Sequence, residues 1–351
     1  MAAVAGPILT VNVGSSSLKL SVLDDEDRVL VGRDIELAGE EGELDAAFER
    51  ILAEAPALVA AGHRVVHGGD RFSAPALIDD RAEADLEGLA DLAPLHNPPA
   101  VAAIEALRRL RPELPSVACF DTAFHATIPA AASTYAIPAA WSAPVPLRRY
   151  GFHGLSHAYA GRRAAELLER EPAELRLITA HLGSGASLCA VEGGISVDTT
   201  MGFTPLEGLV MATRSGSVDP GLLLWAQRHR GIGAEEMERA LDRGSGLAAL
   251  SGRSGDMREV LAGLDEGDER CRLAFDVYVH RLVAGVAAMA AAMGGVDALV
   301  FTGGVGENAP RVREAVAGRT GFLGIGPDAI LVVPAREDVE IARGVRAVLA
   351  A

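Results

Sequence analysis

The chain has 351 residues, of which 49% are hydrophobic, 23% are charged and 4% are aromatic. That length allows about two domains of ordinary size, and the balance is typical of a globular protein with a mostly aliphatic core. The net charge of −16, from 32 basic and 48 acidic residues, argues against nucleic-acid and membrane partners, because such a surface repels phosphate backbones and anionic lipids. The negative net charge is still compatible with an anionic substrate if a few cationic side chains are gathered in one cleft.

The hydrophobic pattern predicts elements in two series. In the first half these are strands at 8–13, 18–23 and 29–35, a helix at 44–54, a strand at 58–66, a helix at 98–110 and a strand at 116–120. A proline-rich stretch at 138–146 is the best candidate for a linker. In the second half they are strands at 175–181, 186–192, 195–198 and 297–302 and helices at 219–229, 234–242, 256–263, 268–293 and 337–349. Because each half opens with hairpins and continues with helices and strands, we expect a duplicated α/β unit.

Cysteine usage and the termini bear on the compartment. The three cysteines are scattered and show no CxxC spacing, which favours buried free thiols over a disulfide framework or a zinc site. The first residues lack the charged region of a signal peptide. The longest uncharged run, between Arg281 and Asp297, is short for a bilayer span, so we expect a helix packed between protein layers. These features indicate a cytoplasmic protein.

The two opening hairpins are similar. ILTVNVGSSSLKLSVL at 8–23 and LRLITAHLGSGASLCAV at 175–191 both read as strand, Gly-Ser interruption and strand. A shift of 169 residues aligns Asn12 with His181, Gly14 with Gly183 and Ser15 with Ser184. Such turns expose backbone N–H groups and hydroxyls that suit phosphate oxygens, although either turn alone is compatible with a plain turn. No Walker A pattern is present. The pair suggests two loops that grip a polyphosphate from opposite sides of a cleft.

Further candidate groups lie in short apolar or glycine-rich stretches. FTGGVGENAP at 301–310 follows an apolar strand and precedes a helix, so it is a candidate nucleotide site, with a plain loop as the alternative. Any single histidine of the clusters between 63 and 181 is better explained as a hydrogen-bonded structural residue, and His153 and His157 lack the glutamate of a zinc motif. Arg64 and Arg214 are different, because a guanidinium in such surroundings normally needs an anion.

Nine motifs together resemble a known family. They are NVGSSSLK, GHRVVHGG, APLHNP, FDTAFH, YGFHGLSH, HLGSGAS, TRSGSVDP, GGVGEN and EDVEIA. They occur in the order found in acetate kinases, and the chain resembles that family from residue 8 to residue 348. The resemblance implies an α/β fold of two duplicated RNase-H-like (actin-like ATPase) domains that flank a nucleotide cleft. The implied N-terminal domain is 1–125 plus 339–351, and the implied C-terminal domain, 126–338, binds nucleotide and forms a homodimer.

The resemblance also implies the reaction and the residues of the site. The reaction is the reversible, Mg²⁺-dependent transfer of the γ-phosphoryl group of ATP to acetate, with Mn²⁺ as a substitute metal and ADP and acetyl phosphate as products. The implied catalytic residues are Asp121, Arg64, Arg214 and His153, and the implied metal-site residues are Asn12 and Glu337. The implied nucleotide-binding residues are Lys19, His181, Leu182, Gly183, Ser184, Gly185, Asp256, Met257, Arg258, Gly304, Val305, Gly306, Glu307 and Asn308. The acetate pocket is implied at Arg64, Val66, Leu95, Phe152 and Pro205.

The implied chemistry is physically coherent. A carboxylate acceptor is already ionised at neutral pH, so transfer to it needs no general base. The obstacle is the approach of one anion to another, and cations, a metal and backbone donors compensate for it where charge spreads in the transition state. We therefore expect Asp121 to orient an arginine or hydrated Mg²⁺ rather than to accept a proton.

The chain departs from the family pattern at three places. The interval from Lys19 to Arg64 is shorter than usual, Ser184 stands where Asn is common, and Arg336 replaces a common Asn beside Glu337. The alternatives left open are a propionate or butyrate kinase, a pyrophosphate-using relative, a non-enzymatic actin-like nucleotide-binding protein and an acyl-phosphate or polyphosphate hydrolase. Val66 favours acetate, although one or two methylenes give only about 1–3 kcal/mol of discrimination.

Overall fold

The computed structural model describes residues 5–14, 17–38, 40, 42–94, 96–142 and 145–351. The chain divides into two compact units: unit 1 comprises 1–126, 152–159 and 336–351, and unit 2 comprises 127–151 and 160–335. These units differ from the expected domains in assigning 126, 152–159 and 336–338 to unit 1, and the linker candidate 138–146 falls inside unit 2. The expected domain boundaries stay a prediction.

Unit 1 contains a six-stranded mixed sheet. The strands are β1 (Ile8–Val13), β2 (Ser17–Leu23), β3 (Val29–Glu36), β4 (Ala60–Val65), β5 (Ala76–Leu77) and β6 (Ser116–Phe120). Their order across the sheet is β3-β2-β1-β4-β6-β5. The first three strands are antiparallel neighbours, whereas β1, β4 and β6 run parallel. The alternation of leucine with lysine or serine in β2 produces one buried and one accessible face, as its burial pattern shows.

Unit 2 contains a five-stranded sheet with the same connectivity. Its strands are β7 (Arg176–Leu182), β8 (Ala186–Glu192), β9 (Ile195–Thr199), β10 (Ala298–Thr302) and β11 (Ile330–Val332). The order β9-β8-β7-β10-β11 repeats the order β3-β2-β1-β4-β6, with the same antiparallel and parallel pairings. The prediction of an α/β fold with two duplicated domains is thereby confirmed.

The two opening hairpins differ by one residue in the turn. Val13 pairs with Leu18, so four residues separate the two members of this last pair, whereas Leu182 pairs with Ala186 and three residues separate them. The shift of 169 residues therefore holds for the first strand of each hairpin but becomes 168 in the second. Asn12 lies opposite Lys19, but His181 lies opposite Ser187.

Thirteen α-helices lie within the described residues. In unit 1 or at its boundary they are α1 (Glu43–Glu54), α2 (Asp80–Glu87), α3 (Asn97–Leu110), α5 (Gly154–Leu167) and α13 (Glu337–Ala350). In unit 2 they are α4 (Ala130–Ser133), α6 (Pro220–Arg230), α7 (Ala234–Arg243), α8 (Gly246–Ser251), α9 (Met257–Asp265), α10 (Glu269–Ala292), α11 (Gly303–Asn308) and α12 (Pro310–Arg319). The sequence analysis did not predict β5, β11, α2, α4, α5, α8 or α11, and it predicted α12 only as a helix that follows 301–310.

One helix of the described residues, α10, is long and apolar enough by length and composition to cross a bilayer. It packs against strands of the unit 2 sheet and against α8, α9 and α12, and it buries Phe275, Leu282 and Val286. These contacts agree with the expectation of a helix packed inside the protein. Cys119, Cys189 and Cys271 are buried thiols, as expected.

Helix α13 covers one face of the unit 1 sheet, and α1 and α3 cover the other. Gly62 on β4 makes the close approach of α13 feasible, because a Cβ there would lie 2.4 Å from the Ile341 side chain. The contact buries Ile8, Val117 and Val345 in one apolar cluster. It also brings the first residue of α13 to the ends of β1 and β4.

Candidate active site

Parallel neighbours place the unit 1 side chains together. Thr10 on β1 pairs with Gly62 on β4, so the register brings Asn12 level with Arg64. Asp121 directly follows β6, the parallel neighbour of β4. Because the carboxyl ends of parallel strands lie at one edge of a sheet, these three side chains gather there.

Arg64 and Asp121 form a buried ion pair. Arg64 Nε donates to both Asp121 oxygens at 3.2 and 3.1 Å, and Nη2 donates to Oδ2 at 2.5 Å. The Asp121 side chain is 1% exposed and that of Arg64 is 16% exposed. Burial raises the pKa of Asp121, and the charge and hydrogen bonds of Arg64 oppose that rise. Burial also disfavours the charged form of Arg64, but the charges of Asp121 and Glu337 raise its pKa.

Asn12 connects this pair to the start of α13. Its Oδ1 accepts from Arg64 Nη1 at 3.0 Å, and its Nδ2 donates to Glu337 Oε2 at 2.8 Å. The same Glu337 oxygen is 4.0 Å from Arg64 Nε. One amide oxygen and one carboxylate are a donor set that fits Mg²⁺, which prefers oxygen ligands and usually binds one or two carboxylates together with substrate phosphates. The described residues include no cluster of three or more His, Cys, Asp or Glu that could hold a metal without such a substrate.

His153 is held next to Asp121 by an unusual backbone. Its φ of 57° is left-handed, a conformation that histidine tolerates better than most residues. Its backbone N–H donates to the Asp121 side chain, and Gly154 N donates to Asp121 O at 2.9 Å. A Cβ at position 154 would lie 2.1 Å from that oxygen, so only glycine allows the approach. His125 supports the loop, because its Nε2 donates to Phe152 O at 2.9 Å.

Two of the predicted acetate-pocket residues lie close together in unit 1. Val66 and Phe152 are buried, with 6% and 1% exposure. The Phe152 ring packs edge-on against His67, the neighbour of Val66, at a centroid distance of 5.4 Å. Pro205 belongs to unit 2, and Leu95 lies outside the described residues.

Lys19 lies on β2 directly opposite Asn12. Side chains of such a pair point to the same face of the sheet, so Lys19 shares the face of the metal-site candidate. Lys19 is exposed. In the adjoining turn, Gly14 N donates to Ser17 O at 2.7 Å, and Ser15 and Ser16 lie outside the described residues.

The predicted nucleotide-binding segments of unit 2 adjoin one another around Ala212. Ala212 N donates to Ser184 O at 3.0 Å, in the turn of the second hairpin. Gly255, next to Asp256, approaches Ala212 O so closely that a Cβ would lie 2.4 Å from it. Gly303, with φ of 77°, packs against the backbone of Leu182 and begins α11. The structure therefore brings together 183–185, 255–258 and 303–308.

Some of these residues already have structural roles. Asp256 caps α9 by accepting from Arg258 N at 2.8 Å, and its side chain pairs with the exposed Arg258 guanidinium. Glu307 Oε1 accepts from Ala335 N at 2.9 Å, and Asn308 Nδ2 donates to Gly304 O at 2.9 Å. These bonds hold α11 and α9 in place.

Arg214 has a partner that the sequence did not indicate. Its Nε donates to Asp242 Oδ1 at 2.7 Å, and the two side chains are 22% and 24% exposed. Asp242 lies 28 residues away near the end of α7, and no motif or spacing connects it with Arg214. The anion expected beside each of the two arginines is thus a carboxylate of the protein itself in both cases.

The family model described as "Acetokinase family" matches residues 42–343. The chain belongs to the acetokinase family. An acetate kinase of Leifsonia xyli is 46% identical over 387 residues, covering 96% of this chain and 97% of that protein. An acetate kinase of Deinococcus deserti is 45% identical over 391 residues, covering 98% of each. That alignment exceeds the 351 residues here, so the relative has at least 40 residues without a counterpart in this chain (391 − 351).

Solved structures agree with this membership. The crystal structure of Porphyromonas gingivalis acetate kinase has a TM-score of 0.89 at 36% identity and covers 98% of this chain and 100% of that one. A propionate kinase from Francisella tularensis also has a TM-score of 0.89, at 35% identity, over 97% of this chain and 98% of that one. The resemblance stated from the nine motifs is thereby confirmed.

Proposed function

We propose that this protein catalyses the acetate kinase reaction, the reversible in-line transfer of the γ-phosphoryl group of ATP to a carboxylate oxygen of acetate. The observation that carries the proposal is the buried Arg64–Asp121 pair beside Asn12 and Glu337, in a chain of the acetokinase family. A fixed cation at the end of a sheet is the group needed to bring an anionic acceptor to a polyanionic donor.

Asp121 is proposed as an orienting residue. Two hydrogen-bond donors of Arg64 and the backbone N–H of His153 are directed at its carboxylate, which leaves it occupied as an acceptor. Because acetate is ionised at neutral pH, the reaction requires no base at this position. Arg64 binds the acetate carboxylate or the transferring group, and His153 and Arg214 donate to the phosphoryl oxygens.

Mg²⁺, or Mn²⁺ in its place, is proposed to bind near Asn12 and Glu337. When bound, the metal neutralises phosphate charge. The chain's own contribution is to orient the Glu337 carboxylate through Asn12 Nδ2 and to keep Arg64 within 4.0 Å of it.

ATP or ADP is proposed to bind through segments of unit 2. The adjoining turns and helix starts around Ala212 support this, since backbone N–H groups in such positions suit phosphate oxygens. These segments contain His181, Leu182, Gly183, Ser184, Gly185, Asp256, Met257, Arg258, Gly304, Val305, Gly306, Glu307 and Asn308. Lys19, on the face of Asn12, is proposed to contact the same phosphates.

Val66, Phe152, Leu95 and Pro205 are proposed to receive the acetate methyl group. The alternative substrate is propionate, because a relative of equal structural similarity is named a propionate kinase. An assay with ATP, Mg²⁺ and a panel of acetate, propionate and butyrate tests both. We expect acyl phosphate formation that depends on the acid and is fastest with acetate. Turnover of ATP without any acid would instead support a hydrolase, and no turnover with any acid would support a non-enzymatic nucleotide-binding protein.

A cytoplasmic homodimer is the proposed state. Leu222, Leu224 and Trp225 on α6 are 46–52% exposed, and α6 has no buried residue. Such an apolar surface on unit 2 is typical of an interface between subunits. Light scattering of the full chain and of Leu224→Glu tests this: we expect a dimer that the substitution weakens.

A further inference from the structure

The first turn of α13 contains three acidic residues whose partners differ. Glu337 Oε2 accepts from Asn12, at the candidate site. Asp338 accepts a forked pair from Arg336, whose Nε lies 2.9 Å from Oδ1 and whose Nη2 lies 3.0 Å from Oδ2. Glu340 pairs with Arg343 at 3.4 Å. Asp338 and Glu340 are therefore matched with arginines of the same segment, whereas Glu337 is directed to the site.

Arg336 also connects α13 to the turn between β2 and β3. Its Nη2 donates to Asp27 O at 3.0 Å, while its own backbone directly precedes Glu337. Asp27 has a left-handed φ of 60°, so its carbonyl has a defined direction within a tight turn in which Asp24 N donates to Arg28 O. One guanidinium thus holds both Asp338 and the β2–β3 turn, and β2 is the strand that presents Lys19.

A second arginine makes a similar connection farther along the helix. Arg346 Nη1 donates to Asp27 Oδ1 at 2.8 Å, and Nη2 donates to Asp24 O at 2.7 Å. It lies ten residues after Arg336, in the last half of α13. Because it contacts the same turn but is remote in sequence from Glu337, it provides a matched control.

From these contacts we infer that Arg336 is a positioning residue for Glu337. Arg336 binds the carboxylate of Asp338, so that of the neighbours Glu337 and Asp338 only Glu337 is directed to the site. Arg336 also fixes the start of α13 on the β2–β3 turn, so that the Glu337 carboxylate stays against Asn12. This inference rests on the proposed role of Glu337 in binding the metal. It also gives a physical role to a residue that departs from the common Asn of the family.

A purely electrostatic role makes the opposite prediction. Loss of the Arg336 charge would leave Asp338 unneutralised near the site, and the extra negative charge would strengthen the attraction of a divalent cation. Loss of positioning instead weakens cation binding, because Glu337 is no longer held in one orientation. The direction of the change in affinity therefore distinguishes the two roles.

The test is a titration of the full chain with Mn²⁺ in the presence of ADP, with free Mn²⁺ followed by electron paramagnetic resonance. We expect Arg336→Gln to raise the Kd for Mn²⁺ by about 10-fold, the lower end of the loss seen when partners of metal ligands are removed. Arg346→Gln should lower the melting temperature as Arg336→Gln does and leave the Kd unchanged. Arg336→Lys, which keeps the charge but loses the fork, should give an intermediate Kd, and it decides the question where Arg336→Gln does not fold.

Glu337→Gln separates the two possible failures. A weaker Mn²⁺ affinity in Glu337→Gln together with an unchanged or tighter affinity in Arg336→Gln overturns the positioning role alone. An unchanged affinity in Glu337→Gln overturns the proposed metal site and the positioning role with it. Equal weakening by Arg336→Gln and Arg346→Gln would show a general effect of α13 stability and would also overturn the inference.

Discussion

Unit 1 and unit 2 share an order of five strands, but different groups lie near the carboxyl ends of their parallel strands. Unit 1 places charged side chains there, with Arg64 held by Asp121 and Asn12. Unit 2 places glycine turns and helix starts there, around Ala212. The duplication therefore repeats the scaffold and leaves the chemistry to individual residues, which is why fold alone does not determine function.

The two arginines make the same point more sharply. Arg64 pairs through Nε and Nη2 with a carboxylate that is 1% exposed, whereas Arg214 pairs through Nε with one that is 24% exposed. A buried charge that loses its partner cannot turn to water, but a partly exposed one can. We therefore expect Arg64 to serve both stability and catalysis, and Arg214 to serve catalysis.

Replacement of Arg64 should have the largest effect. Arg64→Ala leaves Asp121 buried without its cation, so we expect a loss of about 3–5 kcal/mol in the free energy of unfolding. We also expect kcat to fall by about 10³-fold, as for other arginines that stabilise phosphoryl transfer. Denaturant unfolding and the acetate-dependent assay measure the two effects.

A double variant separates those effects. Arg64→Leu with Asp121→Leu removes both charges, so we expect most of the stability to return while activity stays lost. Near-normal kcat in Arg64→Ala would contradict the catalytic role of Arg64, and with it the comparison between Arg64 and Arg214.

Acid should destabilise unit 1 more than unit 2. Burial lowers the pKa of His63 to about 3 and those of His67 and His125 to about 4. The unfolded chain then binds more protons below about pH 6.5, so stability present above that pH is lost as the pH falls, by up to about 4 kcal/mol per pH unit for three such groups. The histidines of unit 2, His181, His229 and His280, are not buried. Hydrogen exchange of peptides from each unit, at neutral pH and about pH 5, measures the difference.

His63 offers the sharpest variant for this prediction. Within the described residues neither of its ring nitrogens has a hydrogen-bond partner. His63→Leu should reduce the acid sensitivity of unit 1 by about one proton. Equal acid sensitivity of the two units would contradict the attribution of this sensitivity to the buried histidines of unit 1.

Arg214→Ala should reduce activity without the stability loss of Arg64→Ala. Its pair with Asp242 is partly exposed and is worth about 1 kcal/mol or less, but the lost cation should lower kcat by about 10²-fold. Asp242→Asn keeps that cation, so its effect on kcat should be much smaller. A large loss of stability in Arg214→Ala, measured by denaturant unfolding, would erase the distinction between the two arginines.

Val66→Ala should have the smallest effect and sharpen the description of unit 1. Removal of two methyl groups enlarges the proposed methyl pocket, so the ratio of kcat/KM for propionate over acetate should rise by about 10-fold. Phe152→Leu, at another predicted pocket residue of unit 1, is a parallel variant. An unchanged ratio in both variants would place the acyl chain elsewhere.

Much of the scaffold could be predicted from local pattern, but the pairings at the site could not. Strands β1, β6 and β8 are apolar runs bounded by turn residues, and their predicted bounds agree with the structure. Short elements such as β5 and α11 have too few residues to show a hydrophobic periodicity in the sequence. Motifs indicated Arg64, Arg214 and Asp121, and we expected Asp121 to orient an arginine. Which arginine Asp121 holds, and the pairing of Arg214 with Asp242, depend on strand order and on helix packing, which no local spacing records.

The position of α13 has a consequence for synthesis. This helix completes the apolar layer over Ile8, Ala60 and Val117, yet the ribosome makes it after every residue of unit 2. That face of the first sheet therefore lacks α13 until all of unit 2 has been synthesised. Any chaperone that shields the nascent chain has to protect this face until residues 337–350 have left the exit tunnel.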